Sequence, residues 1–387
     1  MEKIRLIKIV PGGQTLGELS DGKKVFVWGG LPDEEVEVEI YKNKKNYAEA
    51  VATKIFTKSP FRVAEKDKIY LSTSPWQIMD FQYELQQKSK LVCKAFGEQH
   101  IEIELPEIQT DRKEYFYRNK MEYALWWDKE LCQIFLALHK RGSHHKVPIE
   151  TSSIERSEIL MEAQKIVAQL NQQRAEARTY QSLIVRCTET GEVSSALFEN
   201  GKPHEKMNLL KDKLLGHEYS YSPNGFFQIN LPVYEMALLA IKQHISMEKV
   251  VDMYSGVGTI GLSVAGNKNL TLVETDKMAY AEMRKNASDF DNKNIRTIHA
   301  KSEEALDYIT SDICLILDPP RAGLHEKVVA KILEKSPPKI IYLSCNPITQ
   351  ARDVKFLLQR YKIAHMTTFN FFPKTPHIEN LTVLEVK

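Results

Sequence analysis

The sequence predicts an α/β protein in three parts: an N-terminal OB-like β-barrel, an α+β middle, and a C-terminal doubly wound sheet. Three observations predict it. From residue 216 onward, apolar strand-like runs alternate with helical periodicity, the pattern of a mostly parallel sheet. The first of those strands enters a glycine-rich turn, and Glu274 closes the next strand eighteen residues after Gly256. Over residues 1–57, short β-rich runs are separated by glycine turns, as in small closed barrels.

The chain has 387 residues, enough for two or three domains at roughly 100–200 residues each. Its 43% apolar share suffices for packed cores. No run approaches the ~18–20 apolar residues that cross a bilayer, and the opening MEKIRLIKIVPGG is too polar for a secretory signal. Five cysteines (Cys93, Cys132, Cys187, Cys314, Cys345) contain no C-x-x-C pair. That argues against a disulfide framework and a zinc site and for a reducing cytoplasm. No metal site, membrane association or obligate protein partner is expected. The net charge of +2 does not decide for or against nucleic acid, because a local basic face suffices.

Within residues 1–57, KIRLIKIV reads as a strand that Pro11-Gly12-Gly13 turns. TLGELSDGKKVFVWGGL is a hairpin about Asp21-Gly22. EEVEVEIY alternates strictly, as a half-buried strand does, and KNKKNYAEAVATKIF supplies another. The tip between them mixes Lys42, Lys44 and Lys45 with Tyr41 and Tyr47. Lysines track phosphates and tyrosines stack on bases, although a solvated hairpin tip explains the composition equally well.

Residues 58–215 are expected to form an α+β domain. Helical periodicity covers 81–96 and 157–173; strands are expected at 118–125 and 134–140, with a hairpin of 183–188 and 193–198. The basic stretch Arg141-Gly142-Ser143-His144-His145-Lys146 reads as a flexible loop, suited to solvent or RNA more than to a metal. Within 216–387, strands are expected at 250–254, 270–274, 295–300, 313–318, 340–344, 364–369 and 381–386. Helices are expected at 259–265, 277–289, 302–309 and 325–335.

The run KVVDMYSGVGTIGLSVA places strand, glycines and helix in the order of a nucleoside-binding turn. Glycines let the backbone turn tightly and let a ligand come close. Glu274 can accept from both hydroxyls of a ribose. Asp252, at the end of the first strand, would repel a pyrophosphate and suits a cationic amino-acid moiety, which favours S-adenosylmethionine over a nicotinamide dinucleotide. The strand at 313–318 ends in Asp318-Pro319-Pro320-Arg321, and the strand at 340–344 ends at Cys345. Strand ends in such a sheet share one crevice with the glycine turn, so Asp318, Cys345 and the cofactor loop should converge.

Five motifs then stand in one order: Phe226-Phe227-Gln228-Ile229-Asn230, Asp252-Met253-Tyr254-Ser255-Gly256-Val257-Gly258, Leu317-Asp318-Pro319-Pro320-Arg321-Ala322-Gly323, Ser344-Cys345-Asn346-Pro347 and His377-Ile378-Glu379-Asn380. This set resembles the RNA 5-methyluridine (uracil-C5) methyltransferase family, whose C-terminal domain is a Rossmann-like methyltransferase sheet. The N-terminal barrel is similar to the TRAM domain of members that act on 23S ribosomal RNA. The resemblance implies Cys345 as nucleophile, Glu379 as general base, and Gln228, Tyr254, Glu274 and Asp318 as contacts to S-adenosylmethionine. It also places Asp318 and Arg321 within reach of the uracil. RNA is the implied partner, ribosomal RNA first and tRNA second. Many TRAM-containing members hold an iron–sulfur cluster on four cysteines, three of them in one run. The corresponding stretch, DKIYLSTSPWQ at 67–77, has none, nor does Val147-Pro148. Four thiolates hold such a cluster, so no iron–sulfur cluster is expected.

Three rivals remain at this stage, the third being a nicotinamide oxidoreductase, which needs no Cys at this place. An amino-group methyltransferase would use Asp-Pro-Pro but usually sets an aromatic where Arg321 stands, and it needs no Cys345. A non-catalytic RNA-binding relative needs neither Cys345 nor Glu379.

Overall fold

The computed structural model describes residues 2–176, 179–205 and 207–387. Five strands, Glu2–Ile9, Thr15–Glu18, Lys24–Trp28, Glu35–Asn43 and Tyr47–Thr57, close into a barrel. Alternation builds its core: Ile4, Leu6, Val25, Val27, Val36, Val38, Ala48 and Ala50 all point inward. The loop expected to be free and basic is partly consumed here. Arg141 is half-buried, its guanidinium 4.4 Å from the Trp28 ring, and its Nε donates to the Leu71 carbonyl.

The central sheet has six strands in the order Lys202–Pro203, Val193–Glu199, Ser182–Cys187, Lys120–Asp128, Gln133–His139, Lys146–Pro148. The Ser157–Gln172 helix covers it with Ile159, Ala163, Val167 and Leu170, one apolar stripe at helical spacing.

The C-terminal sheet runs Ile295–His299, Asn269–Glu274, Lys249–Met253, Ile313–Leu317, Lys339–Ser344, Glu379–Val386, Tyr361–Phe369, Ile108–Gln109. The first five are parallel, and Glu379–Val386 is antiparallel to both neighbours. Continuous burial of Ile313–Leu317 reflects helices on both faces. One face carries Leu231–Gln243, Thr259–Ala265 and Lys277–Ser288. The other carries Phe81–Gly97, Glu326–Lys335 and Pro347–Leu357.

Three expectations change. Residues 302–309 form two short 3-10 turns, Ser302–Glu304 and Leu306–Tyr308, because so short a piece tightens to i→i+3 bonding. Asn346-Pro347 does more than end a strand: Asn346 caps the next helix, accepting from Ile348 N at 3.2 Å, with Pro347 in its first turn. Residues 81–109 join the C-terminal sheet, not the central one expected over 58–215. Tyr83, Leu91, Val92 and Phe96 share a core with Leu315 and Val354, and Ile108 pairs with Thr368.

Buried polar contacts pin the 67–77 segment and the Phe81–Gly97 helix. Gln77 donates to Asp67 Oδ2 and Ser74 Oγ, both at 2.7 Å, and Ser153 Oγ donates to the same Asp67 oxygen at 2.8 Å. This polar cluster occupies the 67–77 stretch. Among the described residues no three or more His, Cys, Asp or Glu side chains are grouped to hold a metal ion, and no helix is long and apolar enough to cross a membrane. Glu84 and Lys88, both fully buried, pair at 3.0 Å one helical turn apart. Removing one member of such a pair typically costs about 3–5 kcal/mol, because it strands the other charge.

Candidate active site

Strand register builds the site. Met253 pairs with Val273 on one side and Leu317 on the other, so the next residues, Tyr254, Glu274 and Asp318, leave the sheet at one level. Ser344 pairs with Asn380 in the antiparallel ladder, so Cys345 and Glu379 are neighbours where the two strands meet the crevice. Five of the six expected site residues therefore line one end of the sheet. Gln228 arrives from the loop before the Leu231–Gln243 helix. Asn230 in that loop donates through Nδ2 to the Phe371 carbonyl at 3.2 Å, on the approach to Glu379.

The glycine turn is shaped for close approach. Gly258 sits at φ 90°, and a Cβ there would meet Leu262 at 2.9 Å. Gly256, at φ 57°, has open space where a Cβ would stand. Between them and the strand, Tyr254 itself takes φ 66°, an uncommon conformation for a bulky residue. Its ring packs against the core that holds Leu315, Leu317 and Val329. Glu274 is half-buried; it accepts from Gly256 N at 2.7 Å, Thr275 N at 2.8 Å and Asp276 N at 2.7 Å. Asp252 does not face the crevice in the way its position suggests. It is fully buried, accepts from Gly261 N at 2.9 Å, and leaves Oδ1 without a partner. Burial, with Asp318 and Glu274 nearby, pushes it up to about 8. It buttresses the helix start from beneath.

The other end of the crevice concentrates groups that resist ionisation. Burial pushes Asp318 up to about 7. Burial and the neighbouring Asp318 raise Glu379 well above the usual carboxylate range, against the pull of Arg321. Burial, then Glu379 and Asp318, push the Cys345 thiol up to about 11, and Arg321 again opposes. Register sets Cys345 beside buried Glu379, and exposed Arg321, three residues after Asp318, is the cation whose charge pulls on both.

Residues outside the motifs hold the Gln228 segment. Arg186 is fully buried and stacks 4.7 Å from the Tyr221 ring. It donates to the Phe227 carbonyl at 2.8 Å and the Gln228 carbonyl at 3.1 Å. Asn119 adds a bond to the Gln228 carbonyl at 3.2 Å, and Lys120 reaches the Asn224 carbonyl at 3.0 Å. Local periodicity carries no signal for these partners; a charged residue inside an otherwise apolar strand, as Arg186 is in SLIVRC, is the one visible hint.

With this geometry in place, comparison with known proteins is direct. Residues 205–387 match the family model described as tRNA (uracil-5-)-methyltransferase, and residues 8–53 match the TRAM domain. Residues 205–387 therefore carry the domain of the tRNA (uracil-5-)-methyltransferase family, behind a TRAM domain. Relatives include an uncharacterized RNA methyltransferase of Thermotoga maritima, 25% identical with 99% of both chains covered. Another, from Aquifex aeolicus, is 29% identical over 100% of this chain and 98% of its own. Among solved structures, Pyrococcus abyssi tRNA (uracil-54, C5)-methyltransferase in complex with S-adenosyl-L-homocysteine has the same fold, with a TM-score of 0.78. It is 24% identical and covers 98% of this chain and 100% of that one. The family places a methyltransferase on this sheet and rules against the nicotinamide reading of the glycine turn.

Proposed function

We propose that this chain methylates carbon 5 of a uridine in RNA through a covalent adduct between Cys345 and carbon 6, with Glu379 as the base that removes the carbon 5 proton. The observation that carries it is the register that sets Cys345 beside Glu379 at the end of the strand next to Asp318. The residues at the glycine turn fit S-adenosylmethionine: Gly256 offers open space above its Cα, and Glu274 stands ready at the level of a ribose. Gln228, Tyr254, Glu274 and Asp318 would hold that cofactor, which supplies an electrophilic methyl group.

Carbon 5 of uracil is a weak nucleophile. The Cys345 thiolate adds to carbon 6 and pushes the pair of the 5,6 double bond onto carbon 5 and the adjacent carbonyl. Carbon 5 then takes the methyl group that the sulfonium cofactor would supply, the electron pair of the broken carbon–sulfur bond staying with the departing thioether. Glu379 removes the proton left on carbon 5, the double bond reforms, and Cys345 leaves with the pair that bound it. Arg321 is the cation facing both groups, and its charge favours the thiolate. The target base must leave its stack to enter such a crevice.

In this reading residues 1–57 help hold the RNA, 216–387 perform the chemistry with 81–109 built onto their sheet, and the rest of 58–215 connects the two, in the cytoplasm. Two RNA targets have support. The TRAM barrel supports 23S ribosomal RNA. The full-length likeness to an enzyme of tRNA uridine 54 supports tRNA. Mapping 5-methyluridine across the RNA of cells with and without this protein tests the function and separates the targets. A site lost with the protein and restored by it is expected, and an unchanged map would sink the proposal.

A further inference from the structure

The loop from 370 to 378 is held from several elements at once. Lys88 Nζ donates to Asn370 Oδ1 at 2.5 Å and to the Phe372 carbonyl at 3.0 Å. Tyr117 OH donates to the Pro373 carbonyl at 3.0 Å, and Trp76 N to the Lys374 carbonyl at 3.0 Å. Lys374, at φ 60°, donates through its backbone to Glu84 at 3.0 Å and through Nζ to the Met79 carbonyl at 2.9 Å. Its ammonium also pairs with Glu114 at 2.7 Å. A loop fixed this way presents its later side chains in one place.

One of those is His377. Its Nδ1 lies 2.9 Å from Arg321 Nη2, and its ring stands edge-on to Phe372 with centroids 5.6 Å apart. A guanidinium only donates, so Nδ1 accepts and the ring proton is on Nε2. Burial, with the charges of Arg321, Lys88, Arg118 and Arg141, pushes His377 down to about 4, so Nδ1 stays free to accept through the neutral range. Arg321 is fixed at its other end as well: its carbonyl accepts from Asn346 Nδ2 at 3.0 Å and Thr349 Oγ1 at 3.1 Å. An arginine anchored only at its backbone keeps its rotamer freedom, and ordering it costs up to ~2 kcal/mol. His377 fixes the far end.

We propose that His377 is a positioning residue, which accepts through Nδ1 from Arg321 and holds the guanidinium facing Cys345 and Glu379. Burial discourages the thiolate most, followed by Glu379 and Asp318, and the guanidinium charge so held opposes these last two. The inference rests on Cys345 being the nucleophile, and it assigns to the residue two before Glu379 a role separate from proton removal.

Alkylation of Cys345 by iodoacetamide between pH 7 and 9, followed by mass spectrometry of its peptide, reads the thiolate fraction with neither RNA nor cofactor. His377→Ala is expected to slow this alkylation about three- to tenfold at each pH, equivalent to a rise of roughly half to one pH unit in the titration of the thiol. Arg321→Ala should slow it at least as much. His377→Asn, whose Oδ1 can accept in place of Nδ1, should return the rate to within about twofold of the wild type. Exposed Cys132 serves as the rate control, and buried Cys187 and Cys314 report folding. Wild-type rates in His377→Ala or in Arg321→Ala, or an Asn variant as slow as the Ala variant, overturn the proposal. If His377→Ala does not fold, the other two variants decide alone: slow Arg321→Ala with fast His377→Asn supports it, and any other result overturns it. Because no turnover is needed, a wild-type chain that left RNA unmethylated would sink the functional reading while this test still read the contact.

Discussion

The two ends of the crevice use their carboxylates in opposite ways. At the cofactor end, Glu274 accepts three backbone amides, so its oxygens are aimed by the fold. At the reaction end, Glu379 is buried and Asp318 and Cys345 are half-buried, and each is driven toward its neutral form. The first arrangement provides shape, and the second stores proton affinity. A base that must wait for a proton to become acidic gains from such surroundings. Adding cationic charge to the crevice favours the ionised forms of both Cys345 and Glu379, so the site is poised to respond to what enters it.

The strongest way to break this comparison is to remove the reaction-end groups one at a time. Cys345→Ala should abolish methyl transfer and give no covalent complex with RNA containing 5-fluorouridine. Glu379→Gln should lower turnover by about 10²- to 10⁴-fold, the usual scale of a general base, yet still form the covalent complex. Denaturing gel shift and mass spectrometry distinguish the two. Equal adduct levels in both variants would remove the assignment of Cys345, and normal turnover in Glu379→Gln would remove that of Glu379.

Asp252 lies between the two ends and sharpens the contrast through stability. Its carboxyl is raised from 3.8 to about 8. Below about pH 4 both folded and unfolded chains hold its proton, and its contribution is fully present. As pH rises toward 8 the unfolded chain releases the proton and the folded chain keeps it, so folding stability falls across that window. Asp252→Asn removes this loss, which is on the order of a few kcal/mol. The gap in melting temperature between pH 5 and pH 8 should narrow in the variant, although Asp318, raised to about 7, preserves part of it. A gap as wide as in the wild type would mean that Asp252 is ionised in the folded protein.

These groups were unequally legible in the sequence. Cys345, Asp318 and Glu274 each end a strand, and in a parallel sheet strand ends meet, so their convergence follows from local pattern. The inward turn of Asp252 does not, because Gly261 nine residues on decides it. The Pro347–Leu357 helix was hidden behind a dipeptide that stops a strand and caps a helix with the same two residues. The supports were readable only as the odd charge of Arg186 in its strand, never as partners. Lys88 meets Asn370 across 282 positions of sequence, and Arg186 meets Gln228 across 42. Helix Phe81–Gly97 shows an amphipathic stripe, but a stripe does not say which sheet it will cover. Patterns of period 2 and 3.6 describe an element's own faces; partners chosen by long-range packing leave no such trace.

The smallest effect is expected at the cofactor end. Glu274→Gln keeps one carbonyl oxygen for Gly256 N, but its NH2 then faces the Thr275 and Asp276 amides that the other oxygen accepted, so the turn loosens as the charge that draws ribose hydroxyls is lost. A hydrogen bond to a charged acceptor is worth about 1.5–3 kcal/mol, of which the neutral amide retains a share. The KM for S-adenosylmethionine should rise about tenfold while kcat changes little, since the group stands away from the reacting atoms. Adduct formation with 5-fluorouridine RNA at saturating cofactor should match the wild type. Steady-state kinetics separates the outcomes: a loss confined to kcat would mean that Glu274 acts on the chemistry, and the division between a shaping end and a proton-storing end would fail.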